Sequence, residues 1–111
     1  MNSIHKNLVD SLNNELASFL EGEPQFLYDG VQVDLKSGTN LQIIYPNEKE
    51  YVFTWEKNGR NLKIDTAPLH KDLPTFPNHF HCGDELRADA VTSLKNSPRE
   101  NLKKVIEYIG A

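Results

Sequence analysis

The chain has 111 residues, of which 38% are hydrophobic and 25% are charged, and its formal net charge is −4. This length fits a single domain spanning residues 1–111, and the composition is that of a globular protein, which excludes a disordered chain. The twelve Lys and Arg residues are spread along the chain and outnumbered by sixteen Asp and Glu residues. Tight, non-specific binding of nucleic acid is therefore not expected, although a small basic patch beside a cleft is compatible with this charge.

Three features of the sequence predict a cytoplasmic protein without a membrane segment. No apolar run approaches the roughly 20 residues needed to cross a bilayer. The first six residues lack the charged-then-apolar layout of a secretory signal. Cys82 is the only cysteine, which excludes a disulfide framework within the chain.

The first segment is predicted to be a helix. Ser3 is a suitable N-cap, and Gly22 and Pro24 are suitable stop signals. His5 is expected on the solvent-exposed side of this helix. The apolar stripe predicted to pack on a sheet consists of Ile4, Leu8, Leu12, Leu16 and Leu20.

Strand signals follow in four segments. Apolar and polar residues alternate over residues 31–35, 41–45 and 51–55, and turn residues separate these segments. A fourth strand carries Leu62 and Ile64 after the pair Asn58–Gly59. Alternation with a period of two is typical of strands that have one buried face.

The Asn58–Gly59 pair predicts the register of the last hairpin. Both residues tolerate the positive φ angles of a two-residue type I′ turn. Counting outward from that turn places Trp55 opposite Leu62 and Phe53 opposite Ile64 on the buried face. The same count places Asp65 at the end of its strand, on the opposite face.

The segment from Ala67 to Glu85 is predicted to be a long irregular connection. Pro68, Pro74 and Pro77 disfavour a helix and a central strand in this segment. Long ordered connections in small proteins are often functional. Phe76 and Phe80 are expected to anchor the segment in the core, and residues 86–91 are predicted to form a short edge strand.

A second helix is predicted to begin at Pro98. Ser97 is a suitable N-cap, and Glu100 completes a capping box. Leu102, Val105, Ile106 and Ile109 form its apolar stripe, and Gly110 ends it. The predicted fold is therefore α+β: an antiparallel β-meander of about four strands, with the N-terminal and C-terminal helices packed on one face.

Three of the four histidines lie within twelve residues of one another. In an extended segment His79 and His81 point to the same side, with Phe80 on the other side. His70 precedes them by nine residues. Four carboxylates lie in the same part of the chain: Asp65, Asp72, Asp84 and Glu85.

Three hypotheses are compatible with the histidines. A pair of imidazoles supplies both the acid and the base that metal-independent RNA cleavage needs. Alternatively, His79 and His81 bind a divalent metal ion, with Asp65, His70 or Asp84 as the third ligand. A His-x-His pair also occurs as a purely structural element that ties irregular backbone together.

This region resembles the signature of the TumE-like toxins of bacterial toxin–antitoxin pairs. An aromatic strand at residues 51–55 is followed by Asp-x-Ala-Pro-x-His at residues 65–70 and by Thr-Phe-Pro-x-His-x-His at residues 75–81. Asp65, His70, His79 and His81 fall on the motif positions. Leu69 stands where family members often have another histidine.

The resemblance implies a toxin of a type II pair, inhibited by a cognate antitoxin protein that covers the histidine cleft. The histidine chemistry then predicts phosphodiester cleavage of RNA. His79 and His81 would be the acid–base pair, His70 would orient the phosphate, and Asp65 would fix an imidazole tautomer. The alternative is a non-catalytic or metal-binding domain that acts through a protein partner. Neither a cofactor nor an oligomeric state is predicted.

Overall fold

Seven antiparallel strands form one sheet, in which each strand pairs with its neighbours in chain order. The computed structural model describes residues 2–110. The predicted meander is confirmed, but the predicted number of about four strands is wrong, since short strands extend the sheet at both edges. The strands are β1 Gln25–Phe26, β2 Val31–Asp34, β3 Asn40–Asn47, β4 Glu50–Lys57, β5 Arg60–Asp65, β6 His79–Cys82 and β7 Glu85–Ala88.

The predicted register of the β4–β5 hairpin is confirmed. Asn58 and Gly59 have φ angles of 54° and 77°, as a type I′ turn requires. Trp55 pairs with Leu62, and Phe53 pairs with Ile64. This register places Asp65 on the face of the sheet opposite these apolar pairs.

The first helix, α1, is shorter than its apolar stripe predicts. It spans Ser3–Asn14, and a short 3₁₀ turn, Ala17–Phe19, follows it. The N-cap is Asn2 rather than Ser3, because the Asn2 side chain accepts a hydrogen bond of 2.8 Å from the His5 backbone N–H. Leu20 leaves the helical stripe and forms an isolated bridge with Leu35.

The second helix, α2, begins and ends as predicted, spanning Pro98–Ile109. The Ser97 hydroxyl accepts from the Glu100 N–H, and the Glu100 carboxylate accepts from the Ser97 N–H, each at 3.1 Å. These two bonds satisfy N–H groups that lack partners within the helix. Gly110 follows with a φ of 78°, which suits glycine.

Both helices pack on one face of the sheet, as predicted. Buried residues of α1, α2 and strands β2 to β6 form a single cluster, which includes Trp55 and Tyr51. The opposite face of the sheet carries Asp65, His79 and His81. None of the helices within residues 2–110 combines the length and apolar character needed to cross a bilayer.

The connection after β5 is less irregular than predicted. It ends at Asn78, because residues 79–82 pair with β5 and form β6. The order His-Phe-His-Cys alternates, so that Phe80 and Cys82 enter the core. Phe76 does not anchor the segment, since it is 40% exposed. The predicted edge strand is present as β7, over residues 85–88 rather than 86–91.

His5 is a structural residue rather than the surface residue that was expected. Its side chain is 6% exposed, and its Nε2 accepts a hydrogen bond of 2.8 Å from the Tyr45 backbone N–H. Burial lowers the pKa of His5 below its ordinary value, and the carboxylate of Asp29 opposes this shift. The neutral ring therefore joins α1 to β3.

Replacing His5 by Ala should destabilise the fold by about 1–3 kcal/mol, because the Tyr45 N–H would be left buried without a partner. The folded state takes up the His5 proton less readily than the unfolded state, so this stabilisation is present above about pH 6.5 and is lost as the pH falls below it. Urea unfolding at about pH 7.5 and about pH 5 should show that the free energy of unfolding falls less between these pH values in His5→Ala than in the unsubstituted protein. Asn7→Ala, on the exposed side of α1, is the control. Equal stability of His5→Ala and the control would show that the contact contributes nothing.

Candidate functional site

The histidine cluster, His70, His79 and His81, lies on the face of the sheet opposite the helices. Pairing of β5 with β6 places His79 beside Asp65 and His81 beside Lys63. His70 reaches the same place from the loop 66–78. Its ring centroid lies 5.0 Å from that of His79 and 6.2 Å from that of His81.

His70, His79, His81 and Asp65, which fall on the motif positions of the sequence, lie close together in this geometry. The rings of His79 and His81 are 4.7 Å apart, and one ligand atom from each of the three histidines lies within 4.8 Å of the others. Asp84 does not join them, because it lies exposed in the β6–β7 turn. The cluster occupies the face of the sheet that the helices leave open.

Asp65 and His79 form a buried pair at the base of the cluster. His79 Nε2 lies 2.7 Å from Asp65 Oδ1, and the His79 side chain is 1% exposed. Asp65 Oδ1 also accepts a hydrogen bond of 2.9 Å from the Ala67 backbone N–H. The second ring nitrogen of His79, Nδ1, lies 3.2 Å from the carbonyl oxygen of Pro77.

These contacts engage both ring nitrogens of His79 with oxygen atoms of the protein. The carbonyl oxygen of Pro77 can only accept, so a hydrogen bond there requires a form of His79 in which Nδ1 carries a proton. The contact between Nε2 and Asp65 is short enough for a hydrogen bond between the ring and the carboxyl group. Both nitrogens of His79 are therefore occupied by protein partners.

His81 is the accessible member on β6. Its side chain is 33% exposed, and its Nε2 lies 4.0 Å from Asp65 Oδ2. Burial lowers the pKa of His81, and the neighbouring His79 and Lys63 lower it further, while Asp65 opposes the shift. His81 is consequently neutral at pH 7 and able to accept a proton or bind a metal ion.

Lys63 places a positive charge beside these imidazoles. Its Nζ lies 3.3 Å from Asp65 Oδ2, and its side chain is partly exposed. His70 is also partly exposed. The open side of the cluster thus presents two imidazoles and one ammonium group, which can transfer protons to and from an anionic ligand and neutralise its charge.

A buried polar network, which the sequence analysis did not identify, holds the residue that precedes His79. The Asn78 side-chain amide donates to Asp89 Oδ2 at 3.0 Å and to the Tyr51 hydroxyl at 2.7 Å. Thr92 donates its hydroxyl proton to the same Asp89 oxygen. The other Asp89 oxygen accepts from the N–H groups of Val91 and Thr92, at 2.8 and 2.9 Å.

Thr75 connects this network to the loop that carries His70. Its hydroxyl accepts from the Asp89 N–H and donates to the Asn78 carbonyl oxygen, each at 2.9 Å. Burial raises the pKa of Tyr51, so its hydroxyl stays neutral and can both donate and accept a hydrogen bond. The only sequence signal for this network is the Asp-x-x-Thr spacing of Asp89 and Thr92, which is typical of a local side-chain cap.

Comparison with known proteins identifies the family of the chain. The family model described as Toxin TumE matches residues 7–111, which is nearly the whole sequence. The chain belongs to the TumE toxin family. The match includes every residue of the histidine cluster, and it confirms the resemblance seen in the sequence. Searches of curated proteins and of solved structures gave no significant match to this TumE-family chain.

Asp89→Ala should destabilise this TumE-family protein by about 3 kcal/mol, because hydrogen bonds to a charged group contribute about 1.5–3 kcal/mol and buried donors would lose their acceptor. Thermal unfolding measures the change. Asp84→Ala is the matched control, since it removes an exposed carboxylate close by in the chain. Similar melting temperatures for the two variants would contradict a supporting role for Asp89.

Proposed function

We propose that this protein is the toxin of a type II toxin–antitoxin pair and that it cleaves RNA in the cytoplasm with the histidine cluster. Membership of the TumE toxin family supports the toxin role. One observation carries the enzymatic part: two accessible imidazoles, His70 and His81, lie beside the buried pair of Asp65 and His79.

In the proposed reaction, neutral His81 accepts the proton of a ribose 2′-hydroxyl as that oxygen attacks the adjacent phosphorus. Protonated His70 donates its proton to the departing 5′-oxygen, so that the products are a 2′,3′-cyclic phosphate and a free 5′-hydroxyl. Lys63 stabilises the negative charge that develops on the phosphoryl oxygens. Histidine suits both proton transfers because it titrates near neutral pH.

His79 and Asp65 are positioning residues in this proposal. The sequence predicts one of the two proton transfers for His79, but both of its nitrogens contact protein acceptors. His79 therefore acts through His81, as a buried neighbour that lowers the pKa of His81. Asp65 keeps the role expected from the sequence, which is to orient an imidazole, and here that imidazole is His79.

A metal site is the second candidate function, and the three histidines favour it. Three histidine ligands with an open fourth position are a known arrangement of catalytic zinc. Binding by all three requires one nitrogen of His79 to leave Asp65 or Pro77, since both nitrogens are engaged. It also requires the ligand atoms to approach more closely than 4.8 Å.

The proposed partner is an antitoxin protein that covers the histidine cluster. The helices occupy only one face of the sheet, so the face that carries His81 and Lys63 is open to a partner. A protein bound there would block RNA from both groups at once.

His81→Gln should reduce RNA cleavage by about 10²–10⁴-fold, as loss of a general base does, and should abolish growth inhibition in cells that express the protein. The fold should be retained, because His81 packs little apolar surface. Gln42→Ala, on the same sheet face but away from the cluster, is the control. Full toxicity of a folded His81→Gln variant would remove His81 from the mechanism.

A chelator distinguishes the acid–base proposal from the metal site. If neutral His81 is the base, the rate should fall as the pH drops through its pKa, which lies below the ordinary histidine value, and a chelator should have no effect. If a metal ion is required, chelation should abolish cleavage and restored Zn²⁺ should recover it. Metal analysis of the purified protein provides a measurement that does not depend on activity.

A further inference from the structure

A second site is suggested by a groove on the helix-covered side of the sheet, at the corner formed by β4, β5, β6 and the end of α2. Its volume is about 440 Å³. We call it the corner groove, and its residues used below are Trp55, Lys57, Arg60, Arg87 and Tyr108. Three of these are cations, and no Asp or Glu residue among the described residues lines the groove. This local charge contrasts with the net charge of −4 of the chain.

Strand register brings the three cations together. Lys57 pairs with Arg60 beside the hairpin turn, and Arg87 pairs with Phe80. Because Phe80 points into the core, Arg87 also points toward the helix side. The cations therefore lie on one face, although they come from three different strands.

Arg60 is held in place without losing its charge. Its guanidinium donates a hydrogen bond of 2.8 Å to the Cys82 carbonyl oxygen. A Cβ atom at Gly83 would lie 3.1 Å from Arg60 Nε, so glycine leaves room for this placement. Arg87 pairs with Glu85, whereas no ion pair involves Arg60 or Lys57 within residues 2–110.

Tyr108 provides an aromatic surface beside these cations. Its ring is fixed by edge contacts with Trp55 and Phe80, at centroid distances of 6.2 and 5.6 Å. The residue is nevertheless 53% exposed. A fixed, half-exposed ring on a cationic rim is the arrangement that binds single-stranded nucleic acid, with a base stacked on the ring and phosphates beside the cations.

We propose that the corner groove binds one nucleotide of single-stranded RNA, with its base on Tyr108 and its phosphate beside Arg60 and Lys57. An acidic peptide would use the cations but would leave the aromatic ring without a specific role.

The groove and the histidine cluster lie on opposite faces of the same strands, since His81 and Cys82 are adjacent in β6. RNA that passes over the β7 edge would connect them. This inference concerns binding and does not require the histidine cluster to be catalytic.

The test is fluorescence anisotropy with a labelled single-stranded RNA of about 12 nucleotides, in a His81→Gln background that prevents cleavage. Tyr108→Ala should weaken binding by at least about fivefold, which is the lower value for loss of one stacked base. Tyr108→Phe should bind RNA as tightly as the His81→Gln protein that serves as the parent. This result would separate the loss of stacking from misfolding. Arg60→Ala should weaken binding and reduce the slope of log K against log salt by about one.

Two matched controls lie away from the groove. Tyr28→Ala removes an exposed tyrosine near the β1 edge, and Lys36→Ala removes an exposed lysine in the β2–β3 turn; neither should change RNA binding.

Binding by Tyr108→Ala and Arg60→Ala at the level of the controls would overturn the proposal, as would an absence of RNA binding by the parent. A lower melting temperature of Arg60→Ala with unchanged RNA binding would show that the Arg60 charge only stabilises the C-terminal end of α2 and does not bind RNA. Preferential binding of an acidic peptide would overturn the proposal in favour of a protein partner.

Discussion

The contact between Asp65 and His79 joins the two strands that carry the candidate site. It links β5 to β6 and is almost completely buried. The second ring nitrogen of His79, Nδ1, contacts the carbonyl oxygen of Pro77. A buried pair of this kind is stable only when all of its hydrogen-bonding groups have partners. The site therefore depends on the loop that supplies Pro77 and on the Asp89 network that fixes the residue after it. The buried residues Asp65 and His79 thus hold fixed positions next to His70 and His81, which are partly exposed.

The central hairpin and the second helix were predictable because local chemistry determines them. The pair Asn58–Gly59 requires one turn type, which determines the register up to Asp65. Ser97 and Glu100 form a capping box whose geometry involves four consecutive residues. The common side of His79 and His81 followed from their spacing in an extended segment, and the approach of His70 and Asp65 followed from the family signature.

The parts that were not predicted depend on contacts between distant residues. His5 is polar and lies in a helix, and only the N–H of Tyr45, forty positions away, makes it structural. The strand β6 was missed because the preceding prolines indicated an irregular segment, whereas pairing with β5 begins at His79, two residues after Pro77. The engagement of both nitrogens of His79 was also outside the reach of a sequence pattern, which gives the side of a strand but not the partners of each atom.

The hydrogen bond between Asp65 and His79 is the contact that holds the histidine cluster in place. Nitrogen-15 NMR of the histidine rings at neutral pH tests it most directly. We expect a downfield proton, protected from exchange, in the contact between His79 Nε2 and Asp65, and a neutral ring for His81; the downfield signal should be lost in Asp65→Ala. An Nε2 proton of His79 that exchanges freely with solvent would contradict this hydrogen bond.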